Sequence, residues 1–417
     1  MKREEPPFEV SPGLFDHSKR NTLGLPGVAG AETFTIFAPK DDDASGACAR
    51  LPFCPRFNHG VRIGAFEGGL RATWQACPTG EDSADGIHVS STSADGGQTW
   101  SAPEGGGLTV HAQEGQNVVK PGEQPRPRQG PAPTPGGTPP ADGQPRVRYE
   151  FRYFGNGYFW HGPGPRRTEY TTSTDGVNWS PWQFLRDNEG NVIDGYLHPA
   201  MRLPDGRRIT WDSRITEGNR LVSVPFYTDD PAGIEGWTRA ERQNLPCDNK
   251  DLGRELESSF FRRADGGLVV VFRDIMCAGH MLATMMMDRG ERWTPVVQTN
   301  MPDLETNETA GNLPDGTAFI VNHPTSHEWC SPGSGQTPRG PREMLAITLS
   351  KDGRLFDRSY LIRGIDGLQP KRYEGRYKST GYSYPSAAVI GDCMYVSYAA
   401  NKEDAQVTRI PLTSLTQ

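Results

Sequence analysis

The stretch SADGGQTW at residues 93–100 decides the fold, because its pattern returns along the chain. The pattern is Ser/Thr-x-Asp-x-Gly-x-x-aromatic, which is typical of a hairpin turn: the aspartate caps backbone N–H groups, glycine supplies a positive φ, and the aromatic ring packs back between the strands. Further copies, complete or degraded, are STDGVNW (173–179), YTDDPAGIEGW (227–237), MMDRGERW (286–293) and SKDGRLF (350–356).

The spacing of these turns predicts a β-propeller. Their aspartates stand at positions 95, 175, 230, 288 and 352, so the intervals are 80, 55, 58 and 64 residues. The first interval contains the Pro/Gly-rich stretch 120–145, which has no periodicity and is typical of a surface insertion. Without it, the interval shortens to about 54 residues, in line with the others, and such a period indicates one propeller blade.

A second repeat supports this interpretation. Six units contain two short strands joined by a glycine turn, at 64–74, 151–161, 201–211, 262–272, 312–322 and 389–399. We interpret them as the inner strands of the blades, and we expect the strand at 32–39 to complete a blade and close the ring. The prediction is one all-β catalytic domain over 1–417, a β-propeller with seven blades, of which six repeat units are countable.

The amino-acid composition excludes several classes of architecture and function. The 417 residues include 49 glycines and 36 prolines, which favours many short strands over long helices. A net charge of −7 without a basic block argues against nucleic acid, and no apolar run is long enough to span a membrane. The sequence contains no CxxC pair of the kind that binds zinc. Cys48 and Cys54 could bridge a loop, but the odd number of cysteines leaves at least one thiol unpaired.

We expect no cofactor. Calcium at the acidic stretch PKDDDAS (39–45) is the weaker alternative to a merely solvated surface run. The N-terminus has no apolar segment typical of a signal peptide. Nothing in the sequence suggests a helix-mediated oligomer, so a monomer is expected.

Residues at the start of inner strands are the site candidates, because ligands of propellers usually bind over the central channel. These positions are rich in side chains that bind carboxylates and transfer protons. They are Phe57, Asn58, His59, Tyr149, His161, Arg166, Arg167, Tyr196, His198, Glu255, Glu257, Asn307, Glu308, Lys378, Tyr382 and Tyr384, with Arg273 and Arg342 at strand ends.

The repeated box resembles the Asp-box of sialidases. Glu257 at the start of ESSFFRRADGGLVVVFR resembles the glutamate partner of the sialidase nucleophile, and this stretch ends at Arg273, which resembles a sialidase arginine. Arg342 resembles the last arginine of the carboxylate-binding triad, and Tyr382 in TGYSYPSAAV the nucleophilic tyrosine.

The sialidase resemblance is incomplete in the first blade. FNHG stands where sialidases have Arg-Ile-Pro, so His59 or Asn58 replaces the first arginine, and a histidine cannot reproduce its bidentate grip on a carboxylate. For the acidic residue expected downstream, Glu81 and Asp82 are approximate candidates.

A closer resemblance is to propeller enzymes acting on rhamnose–glucuronate linkages, a group of lyases and related α-L-rhamnosidases. It rests on FNHGVRIGAFEGGLRATWQACPTGEDSADG, LPDGTAFIVNHP, REMLAITLSKDGRLFDRSYLIRG, GYSYPSAAVIGDCMYVSYAANKEDAQVTRIPL and the Asp-boxes. It implies a lyase that removes terminal L-rhamnose from α-1,4-linked D-glucuronate in gum arabic type arabinogalactan by β-elimination. The partner would be an acidic plant polysaccharide, and a role on such an external polysaccharide predicts an extracellular protein.

β-Elimination needs donors that neutralise the uronate carboxylate, a base at C5 and an acid at the leaving oxygen. We assign the carboxylate and sugar contacts to Arg166, Arg220 and Arg342, the base to His198 or His59, and the acid to Tyr382. Glu257, Arg273, Lys378 and His161 are further substrate-binding candidates. Two alternatives stay open: an exo-glycoside hydrolase (α-L-rhamnosidase or sialidase), for which Glu257 with Glu81 could form the carboxylate pair, and a non-catalytic glycan-binding propeller.

Overall fold

The computed structural model describes residues 5–40, 46, 48–81, 83, 85–108, 128–130, 143–154, 165–197, 201–211, 213–218, 220–325 and 342–416. Most of the insertion at 120–145 and of the acidic stretch at 39–45, together with His161, His198 and Asp82, lies outside these residues. The fold is all-β, as predicted. The helices in the described part are short 3-10 turns at Asp288–Gly290, Ile365–Gly367 and Leu412–Ser414.

The strands are numbered in chain order. They are β1 Glu9–Val10, β2 Glu32–Phe37, β3 Phe57–Phe66, β4 Gly69–Cys77, β5 Ile87–Ser93, β6 Glu104–Leu108, β7 Arg146–Tyr153, β8 Arg166–Ser173, β9 Gln183–Phe184, β10 Gly195–Leu197, β11 Met201–Arg202, β12 Arg208–Thr210, β13 Ser213–Glu217, β14 Arg220–Val222, β15 Phe226–Thr228, β16 Thr238–Arg239, β17 Glu255–Arg262, β18 Leu268–Asp274, β19 His280–Met287, β20 Arg292–Trp293, β21 Val297–Pro302, β22 Thr309–Asn312, β23 Ala318–Asn322, β24 Leu345–Ser350, β25 Leu355–Phe356, β26 Arg358–Arg363, β27 Tyr382–Ile390, β28 Cys393–Ala400 and β29 Asp404–Pro411.

The chain separates into two compact units. Unit 1 comprises Met1–Ala112, Leu256–Met285 and Val296–Gln417, and unit 2 comprises Gln113–Glu255 and Met286–Pro295. Successive strands form antiparallel sheets in the orders β3-β4-β5-β6, β7-β8-β9, β10-β13-β14, β11-β12-β15-β16, β17-β18-β19-β20, β22-β23-β24-β26 and β2-β29-β28-β27. In addition, β21 pairs with β19, and β1 pairs with β25 in parallel.

The N-terminal strand completes the last sheet. β2 pairs antiparallel with β29, from Glu32 opposite Arg409 to Phe37 opposite Ala405. The prediction that the stretch at 32–39 completes a blade is confirmed by this pairing. The disulfide between Cys48 and Cys54 is also formed. The number of blades and the single-domain organisation stay predictions.

The Asp-box turns have the predicted hydrogen bonds. Asp95 accepts from the N–H groups of Gln98 and Thr99, each at 3.0 Å, and from the Ser93 hydroxyl at 2.8 Å. The Trp100 indole donates to the Gly97 carbonyl at 2.9 Å.

The degraded copies keep the tryptophan bond: Trp237 donates to Gly233 at 3.0 Å and Trp293 to Gly290 at 3.2 Å. The aromatic residue therefore holds each of these turns by an indole hydrogen bond as well as by packing.

Replacing Gly353, the Asp-box glycine of SKDGRLF, by alanine is expected to destabilise unit 1 more than replacing Gly316. Their φ values are 70° and 89°, so alanine costs about 1–2 kcal/mol at either position. A Cβ at residue 353 would also come within 2.9 Å of the Arg263 Cα, whereas residue 316 faces open space. Urea unfolding should show Gly353→Ala to be worse by about 1 kcal/mol or more. Equal losses would contradict the close approach.

Candidate active site

A cluster of ionisable side chains lies within unit 1, at the starts of inner strands and the ends of their partners. His59 is on β3, Glu257 on β17, Arg273 on β18 and Tyr384 on β27. The structure thus brings together residues that are more than three hundred positions apart in sequence. We call this group, with Glu81, Glu305, Arg342 and Lys402, the acid–base cluster.

The centre of the cluster is the carboxylate of Glu257. Its Oε1 accepts a short hydrogen bond from the Tyr384 hydroxyl, and its Oε2 accepts one from Arg273 at 3.0 Å. Arg273 also donates to the Tyr384 oxygen at 3.2 Å and to Glu305 at 2.7 Å. Burial, followed by the charge of Glu257, raises the pKa of Tyr384, so the phenol is protonated at neutral pH.

Left-handed backbone conformations orient side chains of the acid–base cluster. Glu257 and Tyr384 each have a φ of 53°, and Gly60, which follows His59, has a φ of 64°. The pairing of β3 with β4 shifts register between His59 and Arg62, and that of β27 with β28 shifts between Ser383 and Ser386. Such irregularities re-aim a side chain out of strand alternation, and non-glycine residues with positive φ concentrate at functional sites.

His59 is a buried, neutral imidazole. Its side chain is 6% exposed, and its ring centroid lies 4.1 Å from that of Tyr384. Neither ring nitrogen has a hydrogen-bond partner among the described residues, although Nε2 lies 4.0 Å from a Glu81 oxygen. Burial, followed by the charges of Lys402, Arg342 and Arg273, holds the pKa of His59 well below its usual range.

Glu81 is held from two sides. Its Oε2 accepts from the Lys402 ammonium at 2.6 Å, and its backbone N–H donates to the Arg376 carbonyl at 3.1 Å. Arg376 belongs to the loop 371–378, which we call the clamp loop. Close backbone approach explains Gly80 here, because a Cβ at that position would come within 2.5 Å of the Arg376 nitrogen.

Glu403 ties the clamp loop to the β28–β29 turn that carries Lys402. Its carboxylate accepts from the backbone N–H groups of Arg372 and Tyr373 and from the Lys378 ammonium at 3.1 Å. The side chains of Lys378 and Glu403 are 0% and 1% exposed. Lys378 thus pairs with Glu403 inside the protein, and Lys402 is the lysine that contacts Glu81 of the acid–base cluster. The substrate-binding role of Lys378 stays a prediction.

Tyr382, predicted to be the catalytic tyrosine, lies in the core of unit 1. It is fully buried, its ring packs on Tyr398, and its hydroxyl donates to the Gly364 carbonyl at 3.0 Å. Tyr384 takes its place in the cluster. Asn58 is structural as well, because its amide receives the Trp74 indole N–H at 2.8 Å and donates to the Glu403 carbonyl at 2.7 Å.

The two arginines that resemble sialidase arginines, Arg273 and Arg342, both lie in unit 1. Arg342 is 4% exposed and donates to the backbone carbonyl of Glu305 at 3.0 Å, while Arg273 bonds the Glu305 carboxylate. Glu305 was not among the residues singled out from the sequence, and neither was His323, which is buried. Burial, followed by the charge of Arg342, lowers the pKa of His323 to about 3.

Arg166 and Arg220 belong to unit 2. The Arg166 guanidinium lies 5.1 Å from the centre of the Tyr153 ring, and Arg220 donates to the Cys247 carbonyl at 2.8 Å. Glu255, also in unit 2, accepts from the Leu245 N–H at 2.7 Å. The sugar-binding roles of the two arginines stay predictions. His161, predicted to bind substrate, and His198, predicted to be the base, lie outside the described residues.

In the part of the chain that the structure describes, no group of three or more His, Cys, Asp or Glu side chains is arranged to hold a metal ion. No helix in that part of the chain has the length and apolar character needed to cross a membrane.

The BNR repeat-like domain family matches residues 155–396, which is more than half of the chain. The protein therefore belongs to this family of Asp-box repeat proteins. No match was found among the curated proteins.

Solved structures show the same fold at low sequence identity. Trypanosoma rangeli sialidase in complex with sialic acid aligns at 13% identity with a TM-score of 0.55, over 94% of this chain and 60% of that one. A protein of unknown function from Dyadobacter fermentans aligns at 13% identity with a TM-score of 0.53, over 92% and 98%. A further sialidase shares 19% identity over 98% of this chain at a TM-score of 0.49, and the chain spans only 35% of its length. The alignment with Trypanosoma rangeli sialidase, at a TM-score of 0.55, shows that the fold is the sialidase-type β-propeller.

Glu403→Gln is expected to lower the free energy of unfolding by about 3 kcal/mol at neutral pH, because it leaves Lys378 buried without its counter-charge. Burial opposes ionisation of Glu403, but the N–H groups of Arg372 and Tyr373 and the Lys378 ammonium hold its pKa below the usual value. A lowered folded-state pKa contributes stability above the unfolded pKa of about 4.3, and this contribution is lost as the pH falls through the folded value.

Denaturant unfolding between neutral pH and pH about 3 measures this effect. The wild type should lose more stability on acidification than Glu403→Gln. Glu374→Gln, at an 88% exposed glutamate of the same loop, is the control and should behave as the wild type. Parallel pH curves for all three proteins would contradict the assignment.

Proposed function

We propose that this protein is a retaining exo-glycoside hydrolase that acts on glycans ending in an acidic sugar, with Tyr384 as nucleophile and Glu257 as its base. The observation that carries the proposal is the hydrogen bond from the Tyr384 hydroxyl to the Glu257 carboxylate, with Arg273 bonded to both groups. A nucleophile, a base and an orienting group within hydrogen-bond reach define an activated nucleophile.

The protonation states fit this order of events. Tyr384 keeps its proton in the resting enzyme, and Arg273 stabilises Glu257 as the carboxylate that will accept it. As the tyrosine oxygen attacks the anomeric carbon, its proton passes to Glu257. A phenol that is neutral before attack also avoids the repulsion that a carboxylate nucleophile would meet beside an anionic sugar.

The acidic sugar is proposed from the cations of the cluster. Arg342 and Arg273 are buried guanidiniums, and Lys402 is a buried ammonium next to Glu81. Planar guanidinium groups recognise carboxylates through paired N–H donors. Because His59 is neutral, we place the sugar carboxylate at Arg342 rather than at His59.

A second candidate is the lyase reaction on L-rhamnose-α-1,4-D-glucuronate. The observation in its favour is the neutral imidazole of His59 next to the Tyr384 ring. His59 would remove the C5 proton, Tyr384 would protonate the leaving oxygen, and the arginines would neutralise the uronate carboxylate. The product would be an unsaturated uronate, which absorbs in the ultraviolet.

One incubation series separates the candidates. Purified protein is given gum arabic and, separately, sialyl and glucuronyl aryl glycosides, while released sugar and ultraviolet absorbance are followed. On gum arabic, a hydrolase releases sugar without new absorbance, and a lyase releases rhamnose together with it. On the aryl glycosides, a hydrolase releases the sugar and the phenol in equal amounts. Binding without either change would contradict both reactions and leave a glycan-binding propeller.

Tyr384→Phe is expected to lower kcat on the cleaved substrate by about a thousandfold or more, because the nucleophilic oxygen is lost. Tyr382→Phe is the matched control. It removes only the hydrogen bond to Gly364, so it should lower stability by about 1 kcal/mol and keep kcat within a few-fold of wild type. Initial rates and unfolding midpoints of both variants give the comparison, and the reverse ranking of the two rates would reject the assignment of Tyr384.

A further inference from the structure

The turn at residues 375–378 of the clamp loop has a tyrosine where glycine is the usual residue. The Lys378 N–H donates to the Gly375 carbonyl at 3.3 Å, which closes a four-residue turn with Arg376 and Tyr377 at its centre. Tyr377 has a φ of 58°. A side chain costs free energy in this left-handed region, and a bulky residue there is an outlier. Such strain concentrates at ligand-binding and catalytic sites, so the turn needs a functional explanation.

The backbone of this turn lies against the segment that carries Glu81. The Glu81 N–H donates to the Arg376 carbonyl at 3.1 Å. The two segments approach so closely that side chains would not fit between them. A Cβ at Gly80 would come within 2.5 Å of the Arg376 nitrogen, and a Cβ at Gly375 within 2.1 Å of the Thr79 carbonyl oxygen. This backbone contact fixes the position of the turn relative to Glu81.

Glu81 connects the turn with the acid–base cluster. One of its oxygens lies 4.0 Å from His59 Nε2, and the His59 ring centroid lies 4.1 Å from that of Tyr384. The side chains of Glu81 and Glu257 are 22% and 20% exposed, whereas that of Glu305 is 1% exposed. Glu81 and Glu257 are therefore on the solvent-accessible side of the cluster, and the turn borders this side at Glu81.

The side chains of Arg376 and Tyr377 contact each other. The guanidinium carbon lies 4.7 Å from the centre of the tyrosine ring, and Nη2 donates to the tyrosine oxygen at 3.0 Å. Arg376 is exposed and Tyr377 is half-buried. The pair thus combines an aromatic ring with N–H donors at the edge of the cluster. A pyranose sugar has C–H groups on its ring faces and hydroxyl groups around them, so this combination suits a sugar.

Building on the proposed hydrolase reaction, we propose that Arg376 and Tyr377 bind the sugar from which the terminal acidic sugar is released. We call this sugar the leaving sugar. The terminal sugar binds at Tyr384 and Arg342, so the leaving sugar must extend toward the solvent-accessible side of the cluster, which the turn borders at Glu81. The Tyr377 ring packs on C–H groups of the leaving sugar, and Arg376 donates hydrogen bonds to its hydroxyl groups.

The clamp loop holds this turn from both sides. Glu403 accepts hydrogen bonds from the N–H groups of Arg372 and Tyr373 before the turn, and from the Lys378 ammonium at its end. A binding site that is already ordered loses less conformational entropy when its ligand binds. The anchoring by Glu403 therefore favours binding of the leaving sugar at the turn.

The test compares two substrates that share the acidic sugar. One is a disaccharide of sialic acid or of D-glucuronic acid on D-galactose, and the other is the glycosyl fluoride of the same anomeric configuration, which has no leaving sugar. For Tyr377→Gly, we expect the ratio of kcat/KM on the disaccharide to kcat/KM on the fluoride to fall by about tenfold or more. Glycine adopts a positive φ without strain, so the unfolding midpoint should stay close to that of the wild type.

Three further variants control the result. Tyr377→Phe keeps the aromatic ring, so its ratio should stay within about threefold of the wild-type value. Arg376→Gln removes the guanidinium donors and should lower the ratio by a few-fold. Glu374→Gln, at the exposed glutamate of the same loop, should match the wild type on both substrates.

An equal loss on both substrates with Tyr377→Gly, or no loss on either, would overturn the binding of the leaving sugar and leave the hydrolase proposal standing. A wild type that cleaves neither the disaccharides nor the fluorides would overturn the hydrolase proposal and the role of the turn with it.

Discussion

A buried charge must be matched by an opposite charge, and this requirement organises the centre of unit 1. Arg273 lies between the carboxyl groups of Glu257 and Glu305 and pairs with both. Removing one partner from a buried ion pair is strongly destabilising. The Tyr384 hydroxyl donates to the same Glu257, so this pairing also positions the acceptor of its hydrogen bond.

The Asp-box turns lie outside the acid–base cluster and stabilise the hairpins. They hold strand ends by bonds from backbone N–H groups to an aspartate and, at Trp100, Trp237 and Trp293, by an indole bond to a glycine carbonyl. Because these local bonds stabilise the turns, the inner strands can include residues with irregular backbone conformations at the site. The left-handed conformations of Glu257 and Tyr384 cost free energy, which the regular hairpins around them offset.

The clamp loop shows that contacts from several segments of the chain together fix the position of a single side chain. Glu81 is fixed by Arg376 of the loop and by Lys402 of the β28–β29 turn, and Glu403 joins loop and turn. None of these contacts is local in sequence. A lysine near an inner strand, Lys378, could therefore be found by pattern, but its pairing with the buried Glu403 could not.

The sequence by itself determined the all-β class, the hairpin turns and the N-terminal strand of the last sheet, because turn chemistry and strand alternation are local properties. It also placed Glu257, Arg273, Arg342 and His59 among the candidates. Only the tertiary structure placed Tyr384 rather than Tyr382 beside Glu257, although the two tyrosines would share a face in a regular strand, because residue 384 has a left-handed conformation. It alone lowered the pKa of His59, because a pKa depends on burial and on charges that folding brings from distant parts of the chain.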